Sequence, residues 1–340
     1  MPVRGDNPVR QAIFTLSLDF ELIWGSVHHM GPERFSAACE MERSSVIDRL
    51  LELFVKYEVP ATWCIVGHLF IDHCQCLDGT KHPEIIPPSR DWLQHDPCGN
   101  EETNPNFYGR SLLRKIQSCP VPQEIGCHSF SHIMFPECSR ETARSEIAEC
   151  VRLASEMGIE MKSFAFPRNR VCHLDVLEEY GFTHYRGPGK NERWENGRSD
   201  LLRRLGHLFD ILFATEPQPV VPERKNALWN IPGSTIFFPK HGIRRYIPMS
   251  FRVRRARKGL NAAVRDRGIF HLWFHPTNMA DEIESMFSGL DRILAYASQL
   301  RRNGRIEFLP MGAISTSSAE VLDNLTSSLE SHFKHEYIGQ

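Results

Sequence analysis

The sequence predicts an α/β protein with a parallel sheet, either open or closed into a barrel. Three observations carry that expectation. Strand-like runs alternate with stretches of helical periodicity along most of the chain. No internal repeat interrupts the alternation. The composition is that of an ordinary globular protein, with 41% hydrophobic and 24% charged residues. A length of 340 residues fits two domains of ~150 residues or one α/β barrel of more than about 250.

Each element has its own local reason. Ala12 to Leu18 (AIFTLSL) is rich in strand formers and runs into Asp19. Ser44 to Tyr57 repeats Val46, Leu50, Phe54 and Tyr57 at helical spacing, with Ser44 or Ser45 as cap and Pro60 as stop. Ala61 to Val66 and Glu124 to Cys127 read as the next strands. Glu141 to Met157 reads as a helix stopped by Gly158. Ser163 to Phe166 is a strand, Leu174 to Tyr180 a helix closed by Gly181, and Phe182 to Tyr185 a strand. The second half continues with a helix at Leu201 to Phe213, an extended Thr235 to Phe238 and a basic helix at Ser250 to Arg265. Then come the strand Ile269 to Phe274, a helix at Asp281 to Arg302 and a last strand at Ile306 to Leu309. In the helix Asp281 to Arg302, Ile283, Phe287, Leu290, Leu294 and Ala297 form one stripe. Asp72 to Pro122, rich in Pro, Asn, Asp and His, reads as an inserted excursion after the second strand. Ser315 to Gln340 is polar, with a short helix at Ala319 to Leu329, and reads as a surface tail.

Composition also excludes functions. Lys+Arg is 40 against Asp+Glu 42, a net charge of -2, so a globally basic nucleic-acid binder is not expected. No run approaches the ~18 apolar residues of a membrane span. Met1 to Arg10 lacks the pattern of a signal peptide, and a cytoplasmic protein is the expectation. The ten cysteines contain no CxxC pair, and Cys74 and Cys76 lie closer than most metal pairs. They read as reduced thiols, with Cys64 and Cys127 buried in apolar runs.

Ligands of parallel α/β proteins gather where strands end at their carboxyl edge. The first strand ends on Asp19 and Glu21, two apart and on one side of an extended chain. The third ends on His128 and His132, which one helical turn would place on one face. His275 ends the strand Ile269 to Phe274, and Pro167-Arg168-Asn169 ends Ser163 to Phe166. Two His and one carboxylate make a metal set that leaves positions for water and substrate. A second carboxylate can take a proton and a further His can donate one. Singly these residues have bland readings, HxxxH arising by chance and a post-strand acid serving as a helix cap. Their joint placement at strand ends favours chemistry.

The ordered set TLSLDFELIWG (Thr15 to Gly25), VPATWCIVGHLF (Val59 to Phe70), EIGCHSFSH (Glu124 to His132), FAFPRN (Phe164 to Asn169) and HLWFHP (His271 to Pro276) resembles polysaccharide deacetylases. These form the NodB-homology group, carbohydrate esterase family four. The resemblance spans about Ala12 to Leu309 and implies an irregular (β/α) barrel of about seven strands. It implies one catalytic barrel over residues 10–312, with the 72–122 insertion and a 313–340 tail. Asp19 matches the general base, Glu21 the metal carboxylate, His128 and His132 the metal histidines, and His275 the general acid. Arg168 roughly matches an arginine that orients the base. The usual adjacent Asp-Asp is replaced here by Asp-x-Glu, as in an atypical branch. The implied cofactor is Zn²⁺, with Co²⁺ or another divalent ion as substitute. The implied reaction is hydrolysis of an N-acyl, chiefly N-acetyl, amino sugar by metal-activated water.

Trp24 and Asn169 are substrate-binding candidates, although for Trp24 the reading as a packing residue on the barrel rim is slightly favoured. His28 and His29 read as solvated loop residues. His173, His184, His207 and His241 read as surface or packing histidines. Arg244 to Lys258 contains seven basic residues and no acid. It reads as the solvated face of a helix, or as a patch for a phosphate-bearing substrate or an anionic membrane surface. A cytoplasmic deacetylase would act on a nucleotide-linked or lipid-linked sugar precursor. Competing functions are a deformylase or other C–N hydrolase on the same barrel, a two-His-one-carboxylate Fe(II) redox enzyme, and a non-catalytic sugar-binding protein.

Overall fold

The computed structural model describes residues 11–26, 33–74, 76–77, 80–188 and 215–314. Its organising element is β1 (Ala12–Phe20), buried along all nine residues. On one side of β1 lies β11 (Ile269–Phe274), in parallel register from Ile13 opposite Ile269 to Leu18 opposite Phe274. On the other lies β2 (Thr62–Ile65), with Asp19 opposite Cys64. Beyond β2 follow β5 (Glu124–Cys127), β6 (Ser163–Ala165), β7 (His184–Arg186) and β9 (Leu228–Asn230), each parallel to its neighbour. Short edge strands complete the sheet: β10 (Thr235–Ile236) on β11, β8 (Glu223–Lys225) antiparallel on β9, and β12 (Ile306–Phe308) on the start of β1. β3 (Cys76–Leu77) and β4 (Thr80–Lys81) form a separate antiparallel pair.

Period-two alternation explains both faces of this sheet. Ala12, Phe14, Leu16, Leu18 and Phe20 join Phe270, Leu272, Trp63, Ile65, Phe164 and Tyr185 in the main core under the helices. The opposite face curls inward. Ile13, Ile269, Trp229, Ile231 and Ile314 form an apolar plug at its amino-terminal end. Above the plug the inward residues are polar and buried, among them Thr15, Ser17, Asp19, His184, Arg186 and His271. The chain after β9 crosses straight to β11, where Ser234 N–H donates to the His271 carbonyl at 2.9 Å. Among the described residues the barrel is closed there by chain rather than by a strand ladder, which is its irregularity.

Helices cover the outer face. A continuous run comprises α1 (Ser36–Met41), a π-turn (Glu42–Val46) and α2 (Ile47–Tyr57), ending at left-handed Glu58 (φ 50°). It begins eight residues before the predicted start, and Thr277 Oγ1 donates to buried Glu42 in its π-turn at 2.7 Å. Within the excursion lies α3 (Arg110–Gln117), which was not predicted. α4 (Arg140–Glu156) is capped by Ser139, whose Oγ accepts from Thr142 N–H at 3.1 Å. α5 (Leu174–Glu179), α6 (Met249–Asp266) and α7 (Ile283–Arg302) fall within two residues of prediction. The predicted helix at Leu201 to Phe213 and the tail after Ile314 lie outside the described residues. Strand β9 was also missed, because three residues give no periodicity to read. Cys98 is disulfide-bonded, which corrects the expectation of ten reduced thiols. Cys64 and Cys127 are buried and free.

Candidate active site

β1 is two residues longer than predicted, so Asp19 sits inside the strand and points into the barrel. At Glu21 the chain leaves the sheet, and Leu22 takes a positive φ of 47°. Glu21 then turns over the barrel mouth. Gly25 leaves room for it, because a Cβ there would overlap the Glu21 carboxylate. Gly25→Ala is therefore expected to displace Glu21 and weaken metal binding by about 10- to 100-fold. Competitive chelation titration checks this, with unchanged affinity as the contrary result.

His128 and His132 meet without a helix. His128 continues β5, its N–H donating to the Ile65 carbonyl at 2.9 Å. Ser129 (φ 60°) and His132 (φ 59°) then adopt left-handed conformations rare for such residues. Left-handed turns thus replace the predicted helical turn, and they bring the two rings to 5.1 Å between centroids. Buried Glu146 on α4 holds this loop, accepting from Ser131 N–H at 2.8 Å and Ser131 Oγ at 2.5 Å. Burial pushes the Glu146 carboxyl up to about 7 despite those bonds.

The result is a convergence on Glu21. Its Oε1 lies 2.9 Å from His128 Nε2 and 3.2 Å from His132 Nε2. His128 Nδ1 lies 2.7 Å from the Ala165 carbonyl and must carry the proton, since a carbonyl only accepts. Nε2 of His128 is therefore the ring atom left to face the Glu21 carboxylate. Burial opposes ionisation of Glu21, yet His275 and His132 hold it well below the usual carboxylate range. Burial pushes His132 down, towards the neutral form that ligates. Two imidazole Nε2 atoms around one carboxylate oxygen fit a divalent cation, with the Ala165 carbonyl orienting the His128 ring.

Asp19 lies beside this centre on a different support. Arg186, at the end of β7, donates from Nη2 to Asp19 Oδ2 at 2.5 Å. Its Nη1 donates to Ser17 Oγ at 3.0 Å and its Nε to Asn169 Oδ1 at 3.3 Å. Ser17 Oγ is 2.8 Å from His271 Nε2, and His271 Nδ1 is 3.1 Å from the Ile231 and Pro232 carbonyls. Those carbonyls require Nδ1–H, so Ser17 donates to Nε2. Burial, with Arg186 adding to it, pushes His271 down to about 3 and keeps it neutral. The guanidinium is thus the cation opposite Asp19. Burial opposes the Asp19 charge, but Arg186, with His128 and His275, outweighs it and holds the pKa below normal. Asp19 Oδ1 is buried with no hydrogen-bond partner. His275 Nε2 stands 3.7 Å from Asp19 Oδ2 and 3.5 Å from Glu21 Oε1, with 28% of the side chain exposed.

Three expectations change. The arginine on Asp19 is Arg186, whereas Arg168 is exposed in a turn with φ 53°. The strand carrying Arg186 was predicted one residue too short. The strand-end reasoning that found Asp19 finds Arg186 once β7 is extended. Trp24 is 1% exposed and donates from Nε1 to the Phe107 carbonyl at 3.1 Å, so it packs rather than stacking on substrate. In the basic segment, Arg252 is buried and bonds the Phe238 and Arg244 carbonyls, and Arg255 bonds the Thr215 carbonyl. That segment is not a uniform anionic-surface patch. His184 is a packing histidine bonded to the Ile314 carbonyl. His28, His29 and His207 lie outside the described residues. No helix among the described residues is long and apolar enough to cross a membrane.

Residues 35–184 match a family model described as polysaccharide deacetylase. No curated protein sequence matches the chain. A Mycobacterium smegmatis protein described as a candidate polysaccharide deacetylase is 13% identical, with a TM-score of 0.59 over 96% of both chains. The Puue allantoinase is 12% identical, with a TM-score of 0.58 over 94% of this chain and 95% of that one. A Pseudomonas aeruginosa PAO1 protein, also a candidate polysaccharide deacetylase, is 14% identical, with a TM-score of 0.55 over 91% and 95%. At these identities the structures support the fold, and the sequence match supports the lineage. Over residues 35–184 the chain matches the polysaccharide deacetylase family, hydrolases of carbon–nitrogen bonds other than peptide bonds.

Proposed function

We propose that the protein removes an N-acyl group, chiefly N-acetyl, from an amino sugar at the Glu21–His128–His132 centre. The observation that carries this reading is Asp19, with one oxygen clamped by Arg186 and the other buried and unpartnered. Oδ1 is then the lone pair that accepts a proton from water as its oxygen attacks the amide carbon. Arg186 keeps Asp19 ionised, and Ser17 and His271 keep Arg186 in place. His275, across the mouth, gives a proton to the departing nitrogen as the C–N bond breaks. A free carboxylic acid and an amine result. A divalent ion on Glu21, His128 and His132 would polarise the carbonyl and acidify water, and zinc suits that donor set. The substrate proposed is a carbohydrate precursor, nucleotide-linked or lipid-linked.

His275 must be protonated to act as acid. Burial works against its charge, but Glu21 and then Asp19 outweigh it and raise its pKa to about 9. A cation on Glu21 cancels the larger of those two influences. His275 is therefore expected to titrate near 9 in metal-free protein and lower after zinc loading. The acid form prevails below that pKa, so kcat/KM falls as pH rises through it. NMR titration of the imidazole, assigned by His275→Ala, checks this. An ordinary value with and without metal would contradict the placement.

The activity is tested with N-acetylated and N-formylated amino sugars, free and nucleotide-linked, with identification of the released carboxylate. Acetate supports the proposal. Formate alone would favour the deformylase reading, and release of neither would refute both.

A further inference from the structure

We propose that His68, Cys74, His82 and Asp96 form a second divalent-metal site, structural and zinc-type, that clips the 72–122 excursion to the barrel rim. All four side chains are buried, and one donor atom from each lies within 4.8 Å of the others. His68 comes from the 3-10 turn after β2 (Gly67–Phe70), and the other three come from the excursion.

The donors converge on Asp96 Oδ2. It lies 3.2 Å from His68 Nε2, 2.6 Å from His82 Nε2 and 3.8 Å from Cys74 Sγ. Cys74 Sγ is 3.4 Å from His82 Nε2. Tetrahedral zinc with bonds of about 2.0–2.3 Å sets its donor atoms about 3.3–3.7 Å apart. Three of these four separations match within a few tenths of an ångström, and the His82–Asp96 pair need only open by under about 1 Å.

Outer hydrogen bonds aim the donor atoms at one point. His68 Nδ1 is 3.0 Å from the Phe107 carbonyl and so carries a proton. Its Nε2 is then the ring atom turned to the Asp96 carboxylate, 3.2 Å away, and is the atom free to ligate a cation. Asp96 is prepared in the same way: Oδ1 accepts from Cys98 N–H at 3.0 Å, leaving Oδ2 for the centre. Outer-shell bonds of this kind orient metal ligands. A thiolate and a carboxylate with two neutral imidazoles carry two negative charges, which one divalent cation neutralises. The thiolate favours zinc over magnesium or calcium.

Four protein ligands leave no open position, unlike the three around Glu21, so this centre holds structure. Aromatic rings of Trp24 and Tyr108 enclose His68, at 4.3 and 4.9 Å between centroids. An access path exists, since a cavity of about 410 Å³ is lined by Cys74, His82, Glu84 and Glu149. The ligand spacings of six, eight and fourteen residues form no sequence motif, which is why the set was not legible before folding.

The test uses the full chain, depleted of metal and reloaded with Zn²⁺ or Co²⁺. Two zinc ions per chain are expected by mass spectrometry, with one remaining in His128→Ala/His132→Ala. The Co²⁺ protein should show a sulfur-to-cobalt charge-transfer band in the near ultraviolet. That band should persist in His128→Ala/His132→Ala and vanish in Cys74→Ser. Should Cys74→Ser fail to fold, the wild-type band and the ion kept by the double variant still decide. No thiolate band in wild type, a band unchanged in Cys74→Ser, or no ion in the double variant would overturn the proposal. A single ion carrying the thiolate band would support this site and contradict metal binding at Glu21.

Discussion

Asp19→Asn is expected to retain metal and lose turnover by about 100- to 10,000-fold, the usual contribution of a positioned general base. The amide is nearly isosteric, so the chain path through β1 is unchanged. It still offers an oxygen to Arg186. It cannot accept a proton at Oδ1, the one buried polar atom of the residue left without a partner. The metal set of Glu21, His128 and His132 does not include Asp19, so zinc content should stay at the wild-type level. Side-by-side steady-state kinetics and metal analysis check both halves. Full activity in Asp19→Asn would mean another group takes the proton.

Arg186→Met is expected to cost about 3–5 kcal/mol of stability near neutral pH, because it leaves Asp19 as an uncompensated buried charge. Arg186 is itself fully buried and lies 4.2 Å over the Trp273 ring, so packing as well as charge is lost. The pH dependence has a definite sign. In the wild type Asp19 is lowered, and its contribution to stability is present above the unfolded carboxylate pKa and lost as pH falls through the folded value. Without Arg186, burial is opposed only by His128 and His275, and that pKa rises. The variant's deficit should then shrink at low pH, where Asp19 is neutral. Asp19→Asn/Arg186→Met should recover part of the loss at neutral pH. Urea unfolding of the four proteins at two pH values checks this. A deficit that is independent of pH and unrelieved in the double variant would assign the effect to packing alone.

Much of the fold was legible because β1, β11 and α7 are long enough for periodicity to show. The rest was short or non-local. β7 and β9 have three residues each, and the left-handed turns at Ser129 and His132 occur without a glycine to signal them. The site residues at strand ends, Asp19, His128 and His275, could be read because the carboxyl edge of a parallel sheet is a predictable place. Arg186 was one residue beyond a predicted boundary. Ser17 and His271 join it only through barrel closure, 254 residues apart in sequence. Glu146 acts from a helix across the loop, and no linear pattern announces that.

In the proposed reaction, one cation on Glu21, His128 and His132 and one base, Asp19, hydrolyse an N-acyl amine. The most direct measurement is the rate of acetate release from an N-acetylated amino sugar by chelated protein, titrated with Zn²⁺. The ion count kept by His128→Ala/His132→Ala is subtracted as that of the second site. A rate near zero after chelation, restored by about one equivalent of zinc and absent from Glu21→Ala, is predicted. A rate indifferent to chelation, or restored equally in Glu21→Ala, would contradict the account.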